Sequence, residues 1–106
     1  MLHPTDATFQ REVLENKEPV MLEFWAPWCG PCQQMAPLLE GLAASYEGKG
    51  VKIAKLNVDE NPVTAGQFGV MSIPTFILFK GGKDVERFVG ARSKLELENK
   101  IKSLLL

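Results

Sequence analysis

Both cysteines of the 106-residue chain lie within the stretch Cys-Gly-Pro-Cys at residues 29 to 32. Two thiols at this spacing can supply half of a metal site, form a structural disulfide, or open and close as a redox pair. A structural disulfide is disfavoured, because a bridge that closes so short a loop restrains the unfolded chain only weakly. A zinc site within one chain is disfavoured because zinc takes four ligands and His3 is the one remaining soft ligand. A metal site or cluster that two chains share through their cysteine pairs is an alternative that the sequence leaves open.

The elements that flank the cysteines favour redox chemistry. A buried strand predicted over residues 20–26 ends just before Cys29, and an amphipathic helix begins there. Cys29 is therefore expected at a helix N-terminus, where free amide N–H groups and the helix dipole stabilise a thiolate. Pro31 suits the first helical turn, because its missing N–H has no helical partner there. Cys32 follows one turn later on the same side, from which it can attack a mixed disulfide formed at Cys29.

The rest of the chain alternates between helical and strand patterns, with a glycine pair in a predicted hairpin and a capping box before the last helix. An inner lysine, Lys55, interrupts the second apolar strand. The predicted elements are a helix from Thr5 or Asp6 to about Asn16, strand 20–26, a helix after the cysteines that contains Pro37, strand 51–58, a short helix from Asn61 to Gly69, strands 75–80 and 83–89, and a last helix capped by Ser93 and Glu96. This order predicts one α/β domain over residues 1–106, with a mixed sheet that has a parallel part and a C-terminal antiparallel hairpin, covered by helices on both faces.

The charge pattern excludes several classes of partner. The formal net charge is −1, the charges are interleaved, and no basic patch is evident, so nucleic acid and anionic membranes are not expected partners. No window reaches the roughly 20 apolar residues of a membrane span, and the start has no secretory pattern. We therefore expect a soluble, cytoplasmic protein and a monomer.

Three motifs together resemble the thioredoxin family: WCGPC at 28–32, IPT at 73–75 and FVGA at 88–91. The resemblance extends from about residue 5 to the end of the chain. It implies the thioredoxin fold and reduction of protein disulfides, with electrons supplied by a thioredoxin reductase and no bound cofactor or metal. It also implies that Cys29 is the exposed attacking cysteine and Cys32 the buried resolving one.

The resemblance further implies a docking surface around Cys29 and a cis peptide bond before Pro74. By the same resemblance, Trp25 takes a core position with Asp59 as its hydrogen-bond partner. An apolar surface of this kind binds many flexible partners loosely. Its expected members are Trp28, Gly30, Pro31, Met71, Ile73, Pro74, Gly90 and Ala91.

Position 23 departs from the family pattern, in which a buried aspartate stands behind the second cysteine. Here the residue is Glu23. One interpretation is a buried ion pair in which Glu23 and Lys55 neutralise each other. The other is that Glu23, its proton affinity raised by burial and lowered by Lys55, accepts the proton of Cys32 during catalysis.

A function of another class also fits the same residues. The apolar surface around the cysteines suits a binding module within a larger assembly, in which the thiols are incidental. The two functions are not exclusive, and a variant that lacks both cysteines separates them.

Overall fold

A four-stranded mixed sheet forms the centre of the protein in the computed structural model, which describes all 106 residues. The strands are β1 (Val20–Trp25), β2 (Lys52–Asn57), β3 (Thr75–Lys80) and β4 (Lys83–Val89), in the spatial order β2-β1-β3-β4. Strands β1 and β2 are parallel, whereas β3 pairs antiparallel with both β1 and β4. The predicted combination of a parallel part and a C-terminal hairpin is confirmed.

Helices cover both faces of this sheet. They are an N-terminal π-helix (Gln10–Leu14) and three α-helices, α1 (Gly30–Ser45), α2 (Pro62–Gln67) and α3 (Lys94–Leu104). Met21 of β1 belongs to a buried cluster with residues of α1 and α3, such as Leu39 and Ile101. The next residue along the strand, Leu22, belongs to a second buried cluster with Phe9 and Val13. This alternation is what a strand buried on both faces requires.

Local signals predicted several elements well. The capping box before α3 is present, with the Ser93 hydroxyl accepting from the Glu96 amide. Two glycines with positive φ, Gly81 and Gly82, connect the strands of the hairpin. These interactions lie within a few residues of each other, which is why the sequence alone predicts them.

The N-terminal region differs from its prediction. The helix expected up to about Asn16 is a short π-helix, preceded by a turn in which Thr5 and Thr8 exchange backbone-to-hydroxyl hydrogen bonds. Leu2, for which no strand was predicted, forms a parallel bridge with Ala54 at the edge of β2. The chain start is therefore tied to the edge of the sheet.

Helix α2 also departs from prediction, because the Asn61 side chain does not cap it. The carboxylate of Asp6 accepts hydrogen bonds from the Val63 amide at 3.2 Å and the Thr64 amide at 2.8 Å. The Asn61 side-chain oxygen instead accepts from the Asp6 amide at 2.9 Å. The expected end at Gly69 is also too late, since the helix ends at Gln67.

Candidate redox site

Cys29 is the N-cap residue of α1, as its sequence context predicts. Its backbone is extended, with φ −85° and ψ 111°, and its sulfur accepts a hydrogen bond from the Cys32 amide at 3.2 Å. Pro31 lies in the first turn of the helix, where its lack of an N–H group leaves no bond unmade. Negative charge on the Cys29 sulfur is therefore stabilised both by a direct donor and by the helix dipole.

The two sulfurs are joined as a disulfide, and the two Cα atoms lie 5.2 Å apart. This separation is within the range that a disulfide spans without backbone displacement. Cys29 retains 5% of its surface exposure and Cys32 retains 1%. Cys32 is thus the more buried of the pair, as expected, but the expectation that Cys29 is exposed is wrong, because little of its surface is accessible.

Two loops approach the cysteines from the neighbouring strands. The Ile73–Pro74 peptide bond is cis, as the family resemblance implied. Thr75, the next residue, pairs with Phe24 near the end of β1 that leads to the cysteines. The Gly90 amide donates to the Pro74 carbonyl at 2.8 Å, which ties the loop after β4 to the loop before β3.

The expected docking surface consists of residues with very different exposures. Met71 is 93% exposed and Trp28 is 69% exposed, whereas Pro74 is buried. The exposed apolar area therefore comes mainly from two large side chains, one before the cysteines in sequence and one in the loop before β3. Gly30, Pro31 and Ala91 are exposed, and Ile73 and Gly90 are half-buried.

The predicted partner of Asp59 is wrong. The Trp28 indole N–H donates to Asp59 Oδ2 at 2.9 Å. Asp59 in turn is held by Asn57, whose side-chain oxygen accepts from the Asp59 amide at 2.9 Å. Trp25 is half-buried at the end of β1 and has no such bond. The hydrogen bond therefore orients the exposed indole next to Cys29 instead of a core indole.

Glu23 is buried in the centre of the sheet, with 1% of its surface exposed. Neither carboxyl oxygen has a hydrogen-bond partner in the protein. Burial raises the pKa of Glu23 to about 7, and the positive charge of Lys55 opposes this rise. Since alternate residues of a strand share a face, Glu23 lies on the same side as Met21, which packs with α1.

The direct ion pair expected between Glu23 and Lys55 is not formed. The two residues are neighbours in the register of β1 and β2, but the pair is absent from the salt bridges of the protein. The Lys55 ammonium lies over the Trp25 ring instead, 4.2 Å from its centroid. Lys55 therefore makes a cation–π contact with Trp25 instead of the expected ion pair with Glu23.

Metal chemistry has no further support from the arrangement of side chains. No group of three or more His, Cys, Asp or Glu side chains is arranged to hold a metal ion.

None of the helices combines the length and the apolar character needed to cross a bilayer.

Comparison with known proteins identifies the family. The thioredoxin family model matches residues 1–103. The chain is 50% identical over 101 residues to thioredoxin 1 of a Nostoc species, a match that covers 95% of this chain and 94% of that protein. It is 52% identical over 101 residues to thioredoxin of Alicyclobacillus acidocaldarius, with 95% and 94% covered. It is 54% identical over 97 residues to thioredoxin of Chlorobaculum thiosulfatiphilum, with 92% and 89% covered.

A disulfide at a helix N-terminus and family matches over nearly the whole length of the chain lead to one conclusion. The chain belongs to the thioredoxin family, as a thiol–disulfide oxidoreductase that reduces protein disulfides through its Cys29–Cys32 pair.

Proposed function

We propose that this protein carries electrons from a thioredoxin reductase to disulfide-containing proteins, with Cys29 as the attacking thiol. The thiolate of Cys29 attacks one sulfur of the substrate disulfide, and the other substrate sulfur leaves as a thiolate that takes up a proton. The observation that carries this assignment is the hydrogen bond from the Cys32 amide to the Cys29 sulfur, 3.2 Å long, at the start of α1. A donor at this position stabilises the attacking thiolate before any substrate binds.

Cys32 completes the reaction. Its thiolate attacks the Cys29 sulfur of the mixed disulfide, the second substrate thiol is released, and the Cys29–Cys32 bond forms. Two electrons pass to the substrate, and the reductase returns two electrons to the pair. The 5.2 Å distance between the two Cα atoms supports this step, since it already suits the bridged state.

Glu23 is proposed to accept the proton of Cys32 as that thiol becomes a nucleophile. A pKa of about 7 suits a group that must take up and release a proton near neutral pH. Its location on the α1 side of β1 supports the assignment, because α1 also carries Cys32. The Lys55 charge would then tune the proton affinity of Glu23 without a direct bond.

The docking surface is proposed to bind an extended segment of the substrate. The free backbone of Ile73 beside the cis Pro74 suits a short strand addition. Trp28 and Met71 would provide most of the apolar contact, because they are the most exposed large side chains of this surface. The predicted monomeric state and cytoplasmic location are part of the same proposal, since a reducing compartment favours the dithiol form.

Trapping separates the roles of the two cysteines. Cys32→Ser should accumulate a mixed disulfide between Cys29 and a protein substrate, seen as a reducible adduct by mass spectrometry. Cys29→Ser should form no such adduct, and the double serine variant serves as the background control. Adducts on Cys29→Ser but not on Cys32→Ser would reverse the assignment. The electron source is tested by adding a thioredoxin reductase and its electron donor to the oxidised protein. If Cys29 and Cys32 are not reduced to two thiols, the proposed electron source is wrong.

The role of Glu23 is tested by the rate at which the mixed disulfide resolves. Glu23→Gln should slow this resolution, and the loss should be largest above about pH 7, where the native carboxylate can accept a proton. Formation of the mixed disulfide at Cys29 is the internal control and should change little. An unchanged rate of resolution at every pH would leave Glu23 with a purely structural role.

A further inference from the structure

Arg92 follows the docking residues Gly90 and Ala91 and received no role from the sequence. Its Nη1 atom donates to three successive carbonyl oxygens, those of Val89 at 3.0 Å, Gly90 at 3.4 Å and Ala91 at 3.2 Å. Successive carbonyls can converge on one atom only where the backbone curls tightly, and Gly90 has φ +96° here. The segment from Val89 to Ala91, called the docking loop below, is therefore wrapped around the guanidinium.

The rest of the guanidinium is attached to the body of the protein. Its Nε atom lies 3.7 Å from Glu96 Oε2, and Cζ lies 5.2 Å from the centroid of the Phe88 ring. Phe88 is buried in the core, and Glu96 belongs to the capping box of α3. The Arg92 side chain is 30% exposed, and the Glu96 side chain is 58% exposed. Arg92 thus connects the docking loop to two elements that have fixed positions.

The docking loop is also joined to the loop before β3. The Gly90 amide donates to the Pro74 carbonyl at 2.8 Å, and the Gly90 carbonyl accepts from Arg92. A connected path therefore leads from Glu96 to Arg92 through an ion pair, and from Arg92 through Gly90 to Pro74 by hydrogen bonds. The planar guanidinium can make this connection because its donors point in several fixed directions, which a lysine ammonium on a flexible stem does not reproduce.

We propose that Arg92 is a positioning residue that orders the docking loop and thereby sets the affinity for protein substrates. The inference rests on the proposed docking surface and extends it by one residue that touches neither the cysteines nor the substrate. An ordered loop binds a substrate segment without first losing conformational freedom, so removal of the guanidinium weakens binding before it affects chemistry.

Arg92→Leu is the main test, with kinetics measured on one protein disulfide and one small aromatic disulfide. KM for the protein disulfide should rise about fivefold while kcat changes little, as expected when binding alone is weakened. The rate constant for the small disulfide should remain unchanged, because that substrate needs only the cysteines. Arg92→Lys should recover part of the KM, since it keeps the charge and one donor group.

Arg87→Leu is the matched control for the loss of positive charge. Arg87 lies on β4 and, like Arg92, donates to a backbone carbonyl, but that carbonyl belongs to Phe68, outside the docking loop. An equal rise of KM in both leucine variants would mean that charge attracts the substrate, and the positioning role would be wrong. Glu96→Gln removes the charge at the other end of the connection and should raise KM by a smaller factor than Arg92→Leu.

Met71→Gln tests the docking surface itself. A rise of KM in Met71→Gln without a rise in Arg92→Leu overturns the role of Arg92 and leaves the docking surface in place. Unchanged KM in both variants overturns the docking surface together with the role of Arg92. A parallel loss of rate with both disulfides, accompanied by a lower Tm, would show that Arg92 acts on stability alone.

Discussion

Glu23 and Asp6 are two carboxyl groups whose surroundings move their pKa values in opposite directions. Burial raises the pKa of Glu23 to about 7, although Lys55 opposes the rise. Desolvation also raises the pKa of Asp6, but hydrogen bonds from the Thr64 hydroxyl, the Thr64 amide and the Val63 amide outweigh it and leave a lowered pKa. Burial and the availability of hydrogen-bond donors together therefore set the opposite directions of the two pKa shifts.

The difference follows from where each residue lies in the fold. β1 is flanked by β2 and β3, so its backbone groups are used in the sheet and none is free to donate to Glu23. Asp6 faces the first turn of α2, where amide groups have no helical partner and donate readily to a carboxylate. A carboxyl group with a raised pKa thus lies on the α1 side of β1, and one with a lowered pKa caps α2.

Glu23→Gln should have the largest effect on stability. The folded-state pKa of Glu23 is about 7 against an ordinary 4.5, so the folded protein binds the proton more tightly than the unfolded chain does. The stability gained from this tighter proton binding is fully present below the ordinary pKa of 4.5 and is lost as pH rises through about 7. The difference between these two pKa values corresponds to about 3 kcal/mol. Denaturant unfolding of the oxidised protein should show Glu23→Gln more stable than the wild type at about pH 8 and similar at about pH 4.

Glu23→Asp is the control for that experiment, since it keeps a titratable group and the residue type usual in the family. It should keep the fall of stability with rising pH, with a loss of about 1 kcal/mol at all pH values for the deleted methylene. A wild-type free energy of unfolding that does not change between about pH 4 and pH 8 would contradict the raised pKa.

Lys55→Met should move the fall of stability with rising pH to a different pH without abolishing it. The Lys55 charge lowers the pKa of Glu23, so its loss should raise that pKa further and move the fall of stability to higher pH. The pH midpoint of stability, or the carboxyl resonance of Glu23 by NMR, measures the shift. A midpoint that stays in place would mean that the ammonium interacts only with the Trp25 ring.

Asp6→Asn should have the smallest effect, and with the opposite dependence on pH. The pKa of Asp6 is lowered in the folded protein, so its contribution is present above the ordinary value and is lost as pH falls through the folded value. The variant should therefore have a lower Tm than the wild type at neutral pH and approach it in acid. Asp84→Asn, which changes an exposed acid of β4 that makes no hydrogen bond or salt bridge through its side chain, should leave Tm unchanged at both pH values.

Signals that lie within a few residues of each other were enough to predict much of the fold. The strand before the cysteines, the helix that begins at Cys29, the hairpin and the capping box are each specified locally. The redox pair belongs to the same group, since its chemistry depends on two thiols one turn apart at a helix start. The N-terminal π-helix was missed in type. The bridge between Leu2 and Ala54 was also missed, because it joins residues that are far apart in sequence.

The sequence by itself determined the redox pair, the order of the elements and the presence of a carboxyl group at position 23. Only the tertiary structure decided that Asp59 holds Trp28, that Lys55 lies over Trp25, and that Arg92 lies against the Phe88 ring. Long side chains such as lysine and arginine can reach several partners. Which one they reach depends on the packing of elements that are distant in sequence, and the residue types alone do not specify it.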